Sequence, residues 1–190
     1  MNYTSHLSKE SGDPMPNASE YRRLLEKLLY LTNTRSEISF AVRKLSQFLD
    51  CPTSKHFQDA LRVLKYLKSV AAQGLLFKTE SDLQLIGFSD SDWATCPETR
   101  RFISGYCFFL CTTLITWKSK KQVTVARSSP EAKYRALASL TCEAQWIIFI
   151  LQDFKISILR PTTIYCDSQS TLHIARGQSS VPQMYQTYRS

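Results

Sequence analysis

The sequence predicts an α/β fold: a mixed central sheet flanked by helices, with a short helical segment ahead of it. Three observations lead there. Leucines recur at helical spacing across residues 20–70. From Gly74 the apolar residues fall into short β-branched or aromatic runs with polar breaks. A long helical pattern, one further strand and a second helix then follow.

Taken in order, residues 1–18 are rich in Ser, Asn, Pro and charge and read as a disordered tail. "EYRRLLEKLLYLT" sets Leu24, Leu25, Leu28, Leu29 and Leu31 in one apolar band. "SEISFAVRKLSQFLD" repeats the pattern with Ile38, Val42, Leu45 and Leu49, and "SKHFQDALRVLKYLKSV" with Phe57, Leu61, Leu64 and Leu67. Breaks near Asn33-Thr34 and at Cys51-Pro52 divide these into three short amphipathic helices. "GLLFK", "DLQLIGFSD", "RFISGYCFFLC", "LITWKS" and "QVTVAR" read as strands. A helix over about 129–154 follows, started by Ser129 as cap, Pro130 in the first turn and Glu131 at the positive end of the dipole. "PTTIYCD" has the short apolar character of a central strand, and "SQSTLHIARG" reads as a helix ended by Gly177.

Composition narrows the function. The 190 residues hold 43% hydrophobic residues, enough for a real core. A formal net charge of +8, spread along the chain, fits a polyanionic partner such as nucleic acid or simply a basic protein without one. The six cysteines form no C-x-x-C pair, lie apart from His6, His56 and His173, and in part fall within apolar runs. Buried, reduced thiols in an intracellular protein are expected. No run approaches the roughly 18–20 apolar residues of a membrane span. The polar N-terminus lacks the apolar middle of a secretory signal.

Two acids stand at strand ends: Asp90 closes "LQLIGFSD" and Asp167 closes "TTIYCD". In an open α/β sheet such positions project into one crevice. Carboxylates converging there without a cationic side chain need a divalent ion, and oxygen ligands suit Mg²⁺ or Mn²⁺. With Glu131 at the head of the long helix, that set suggests metal-assisted phosphodiester cleavage. Plain readings stand beside it. Asp167 could cap the next helix, Glu131 could serve the helix dipole, and Asp92 could be a second acid or a loop residue. Arg100, Arg101, Lys118, Lys120 and Lys121 could contact a phosphate backbone, or could guard an exposed sheet edge.

"LIGFSDSDWATCPETRRFISGYCFFL", "ITWKSKKQVTVARSSPEAKYRALASLTCEAQWI" and "IYCDSQSTLHIA" closely resemble the ribonuclease H domain of copia-type retrotransposon polyproteins of plants. "YRRLLEKLLYLTNTRSEISFAVRKLSQFL" and "ALRVLKYLKS" resemble the helical segment that links reverse transcriptase to that domain. The likeness covers roughly residues 20–176. It implies a ribonuclease H-like fold with a five-stranded mixed sheet, in which four carboxylates hold two Mg²⁺ or Mn²⁺ ions and hydrolyse the RNA of an RNA–DNA hybrid. By motif, Asp90 matches the first acid and Asp167 the third. The implied organisation is a tail over 1–18, a connection segment over 19–73, a C-terminally shortened ribonuclease H-like domain over 74–177 and a second tail over 178–190. The implied partners are an RNA–DNA hybrid or other nucleic acid, and a reverse transcriptase domain.

The departures from the family pattern bear on activity. Where relatives open the long helix with E-A-E-Y, this chain reads "EAKY", so Lys133 stands in the ligand's position. Residues two apart on a helix point about 200° away from each other, so Glu131 is no simple substitute. No acid follows Asp167, where the family places its fourth. An ammonium within about 4 Å of a divalent ion costs on the order of several kcal/mol even at an effective dielectric of about 20. The expectation is a retained fold with weak or absent hydrolysis. The alternatives are a non-catalytic nucleic-acid-binding module or an unselected relic of an element.

Overall fold

The computed structural model describes residues 7–8, 11–77, 83–96, 99–156, 158 and 160–177. The chain divides into two compact units, Met1–Leu75 and Leu76–Ser190.

The first unit is helical. Asn17 caps α1 (Ala18–Leu31), its side-chain oxygen accepting the Ser19 N–H at 2.9 Å. A 3₁₀ turn at Ser36–Ile38 leads into α2 (Ser39–Leu45), a second at Ser46–Phe48 leads out, and α3 spans Ser54–Ser69. Tyr21, Leu25, Leu28, Ile38, Val42, Leu45, Ala60 and Val63 form the core. The Tyr21 hydroxyl donates to the Leu45 carbonyl at 2.8 Å, which satisfies a polar atom inside it.

Two expectations are corrected in this unit. α3 buries His56, Ala60 and Val63, while Leu61 and Leu64 are 37% and 38% exposed. The small Ala60 lets α3 approach closely where a leucine would hold it off, so the buried stripe is offset from the bulkiest residues. Residues 11–17 are not a free tail. Met15 N–H bonds the Pro52 carbonyl at 3.1 Å, Ser54 N–H bonds Asp13 O at 2.8 Å, and Thr53 Oγ1 donates to Ser11 O. His56 completes the junction: Nδ1 accepts the Thr53 N–H at 3.1 Å while Nε2 faces the Ser8 carbonyl at 3.1 Å. Its ring stacks on Phe48 with centroids 4.0 Å apart.

The second unit carries β1 (Leu85–Asp92), β2 (Ile103–Leu110), β3 (Thr113–Lys121), α4 (Ser129–Asp153), β4 (Thr163–Cys166) and α5 (Gln169–Gly177). The four strands lie in the order β3-β2-β1-β4. β1 to β3 form an antiparallel meander, and β4 pairs parallel to β1. The α4 crossover is what permits a parallel partner beside β1. Alternate residues of β1 are buried, and α4 lays Leu137, Leu140, Ala144, Ile147, Ile148 and Leu151 onto Leu85, Phe108 and Ile164. Gly87 is required here: a Cβ would stand 2.6 Å from Cε1 of the fully buried Phe108.

The mixed α/β sheet is as predicted, with fewer strands. Residues 74–77 of "GLLFK" have no regular structure and Lys78 lies outside the described residues. "QVTVAR" is an irregular connection into α4. The described sheet therefore has four strands against the five implied by the resemblance. The helix cap is Ser128 rather than Ser129, its Oγ accepting the Glu131 N–H at 3.3 Å. Of the six cysteines only Cys166 is buried, and Cys51 and Cys142 are exposed. Among the described residues no helix is long and apolar enough to cross a membrane. The expected tail over 178–190 lies outside the described residues.

Candidate functional site

Register builds the centre of the site. β4 runs parallel to β1 with Ser89 opposite Cys166, so Asp90 and Asp167 follow side by side; Asp167 lies just past β4, while Asp90, expected to close its strand, is still within β1 and opposite Gly105 of β2. Both carboxylates are exposed, with side chains 67% and 63% accessible. Asp90 is steadied by its neighbour, as Oδ1 accepts the Ser91 N–H at 2.7 Å.

α4 enters over this end and delivers Lys133 between the two acids. Its Nζ donates to Asp167 Oδ2 at 2.5 Å and stands 3.5 Å from Asp90 Oδ1. Only 18% of the lysine side chain is accessible. Burial pulls the ammonium toward deprotonation, but Asp167 and Asp90 outweigh it and the net direction is upward. The lysine is therefore held charged.

Glu131 does not join this group. Its Oε2 accepts the Arg127 N–H at 2.8 Å, and its Oε1 accepts the Arg135 Nε–H at 3.1 Å and pairs with Arg135 Nη2 at 2.9 Å. The Arg127 N–H, with Arg135 assisting, holds the carboxyl below the usual glutamate range. That is the arrangement of a residue closing the first turn of a helix. Among the described residues no three His, Cys, Asp or Glu side chains gather to hold an ion. A divalent cation does not fit the residues present, because an ammonium already lies between the two acids that would ligate it.

The basic candidates are distributed around the unit. Lys118 and Lys120 are exposed on β3, at one edge of the described sheet. Lys121 turns to the loop after β1, its Nζ 2.9 Å from Cys96 Sγ. Burial pushes the Cys96 thiol up, but bonds from Lys121 and Thr99 prevail and bring it down to about 7. Arg101 is partly buried, its carbonyl accepting the Cys96 N–H at 3.3 Å. Arg100, in a left-handed backbone conformation with φ 53°, lays its guanidinium 5.8 Å from the centroid of Trp93. The Trp93 indole N–H donates to the Ala126 carbonyl at 2.8 Å, tying the loop after β1 to the approach to α4. Trp93 is absent from the residues that sequence reasoning selects. Its position three residues after Asp90 in "SDSDW" was the available signal.

The chain is 40% identical over 168 residues to a retrovirus-related Pol polyprotein from transposon RE1 of Arabidopsis thaliana, a match that takes in 88% of this chain. The polyprotein from transposon RE2 of the same plant is 38% identical over an equal span. This chain belongs to the retrovirus-related Pol polyproteins of transposons. The copia-type retrotransposon Pol resemblance holds at that level. The chain spans 12% of the length of each of these Pol polyproteins. A secreted RxLR effector protein 161 of Plasmopara viticola is 44% identical over 128 residues, which is 67% of this chain and 90% of the effector. No protein-family model matches this Pol relative. Nor does any solved structure match it significantly.

Proposed function

We propose that Leu76–Ser190 is a ribonuclease H-like domain of a copia-type Pol polyprotein that binds RNA–DNA hybrid without hydrolysing it. One observation carries this reading: the Lys133 ammonium lies between Asp90 and Asp167, 2.5 Å from one carboxylate and 3.5 Å from the other. The two acids occupy the positions where the family motif has its first and third ligands. The position of a further ligand has reversed sign, and a lysine cannot ligate a cation.

Reversal of sign acts on binding as well as chemistry. Two bare carboxylates at a sheet end repel phosphate, and a cation is ordinarily needed to bring the two together. Lys133 supplies a fixed positive charge in that place. The chain's +8 charge and the basic residues Arg100, Lys118 and Lys120 supply the longer-range attraction. In this reading Met1–Leu75 corresponds to the helical segment that adjoins a reverse transcriptase domain, and Mg²⁺ or Mn²⁺ is not a resident cofactor.

The test uses a labelled RNA–DNA hybrid with the full chain. Binding followed by anisotropy is expected in EDTA, unchanged by added Mg²⁺, and weakening steeply with salt. No cleavage product is expected with either Mg²⁺ or Mn²⁺. Cleavage by the unmodified chain contradicts the loss of chemistry, and absence of any binding contradicts the domain's proposed ligand.

A further inference from the structure

We infer that Trp93 and Arg100 form a second contact for the nucleic acid beside the Asp90–Lys133–Asp167 group, the indole as a stacking face and the guanidinium as a phosphate contact. The inference rests on the hybrid-binding reading above and names the residues that would grip the ligand. Trp93 is a large apolar side chain that stays 41% exposed immediately after β1, and Arg100 is exposed on a left-handed backbone position that only a few per cent of non-glycine residues adopt. A turn bond from Arg100 N–H to the Cys96 carbonyl at 2.8 Å holds that conformation.

The indole is anchored at its ring nitrogen. Its N–H is taken by Ala126 O, whose residue is buried with Phe102 and Ala132 at the entrance to α4. Ala132 directly precedes Lys133, so the same small cluster orients the stacking face and the lysine. Arg100 rests over the ring at 5.8 Å, a cation–π geometry that leaves the guanidinium charged. Among the described residues no carboxylate lies within ion-pair distance of Arg100. Its guanidinium is on an exposed residue, and a guanidinium makes a two-pronged bond with phosphate. An exposed aromatic ring beside an arginine is a combination that grips single bases or strand ends without reading sequence.

A protein ligand for the same ring is the competing occupant, and the nucleic acid is favoured by position. Trp93 stands three residues after Asp90, toward the end of the sheet where the ligand is placed, and Arg100 over its ring adds positive charge there.

The experiment compares hybrid affinity of the full chain with Arg100→Gln and Trp93→Leu, with folding checked by far-UV circular dichroism. Arg100→Gln is expected to weaken binding several-fold and to lower the slope of log affinity against log salt by about one. Trp93→Leu is expected to weaken it by about tenfold with the slope retained, while Trp93→Phe recovers most of the loss. In a Trp117→Phe, Trp146→Phe background, the remaining Trp93 emission is expected to be quenched as hybrid is added. If a tryptophan variant does not fold, Arg100→Gln alone decides, through its affinity and salt slope. Variants that bind within twofold of the parent with unchanged slope overturn this inference alone. A parent chain that binds no hybrid overturns both this inference and the reading beneath it.

Discussion

His56 shows how one side chain can join three pieces of chain. Its ring is fully buried, stacked on Phe48, and bonded at one nitrogen to the start of α3 and at the other to Ser8 O. Nδ1 must be the unprotonated acceptor for the Thr53 N–H, so the neutral ring is the one that fits. Burial is the main cause that lowers its pKa from the ordinary histidine value of 6.5, against smaller raising effects from Ser8 and Asp59. A lowered value means that the folded state resists the proton that the unfolded chain accepts. The stabilisation is whole above pH 6.5 and is lost as pH falls through that range toward the folded value. Thermal melting followed by circular dichroism is expected to drop by a few degrees between pH 7.5 and pH 5.5. His56→Asn should melt lower at pH 7.5 and show a flatter dependence. A parent profile that is level over this range contradicts the role assigned to the ring.

At the scale of elements, β1 decides most of the second unit. It pairs on both sides, packs under α4 and carries Asp90 two residues before its end at Asp92. Gly87 lets Phe108 lie flat against the strand, so Gly87→Ala forces a buried ring to move. The expected cost is about 1–3 kcal/mol, seen as a lower denaturant midpoint with an unchanged m-value. An unchanged midpoint contradicts the close packing described. The strands that pair and the helices with a sustained apolar stripe were legible in the sequence, because alternation and 3.6-residue spacing are local signals. "GLLFK" and "QVTVAR" were misread because a short apolar run carries no information about a pairing partner. Asp90 and Asp167 were legible as residues near strand ends, and the parallel register that puts them side by side was not. Glu131 was selected by its place at a helix start, and what it bonds there, Arg127 N–H and Arg135, is visible only in three dimensions. α3 was misread in its orientation, since Ala60 and Val63 take the core in place of the larger Leu61 and Leu64.

Across the whole molecule, two separate hydrophobic cores support two compact units. The helical unit closes around Tyr21, Leu25 and Val42, and the sheet unit closes around Leu85, Phe108 and Leu140. Trp93, Trp117 and Trp146 all lie in the second, so tryptophan emission reports on the sheet unit alone. There the Lys133 ammonium lies between Asp90 and Asp167, and under the proposed function that is the place a divalent ion would otherwise fill. Mn²⁺ titration followed by electron paramagnetic resonance, on the parent chain and on Lys133→Glu, measures this directly. The account predicts that the parent leaves Mn²⁺ free across the micromolar range, and that Lys133→Glu binds it at least tenfold more tightly. A parent chain that binds Mn²⁺ as tightly as Lys133→Glu would contradict it, because the ion would then be displacing the ammonium from its two carboxylates.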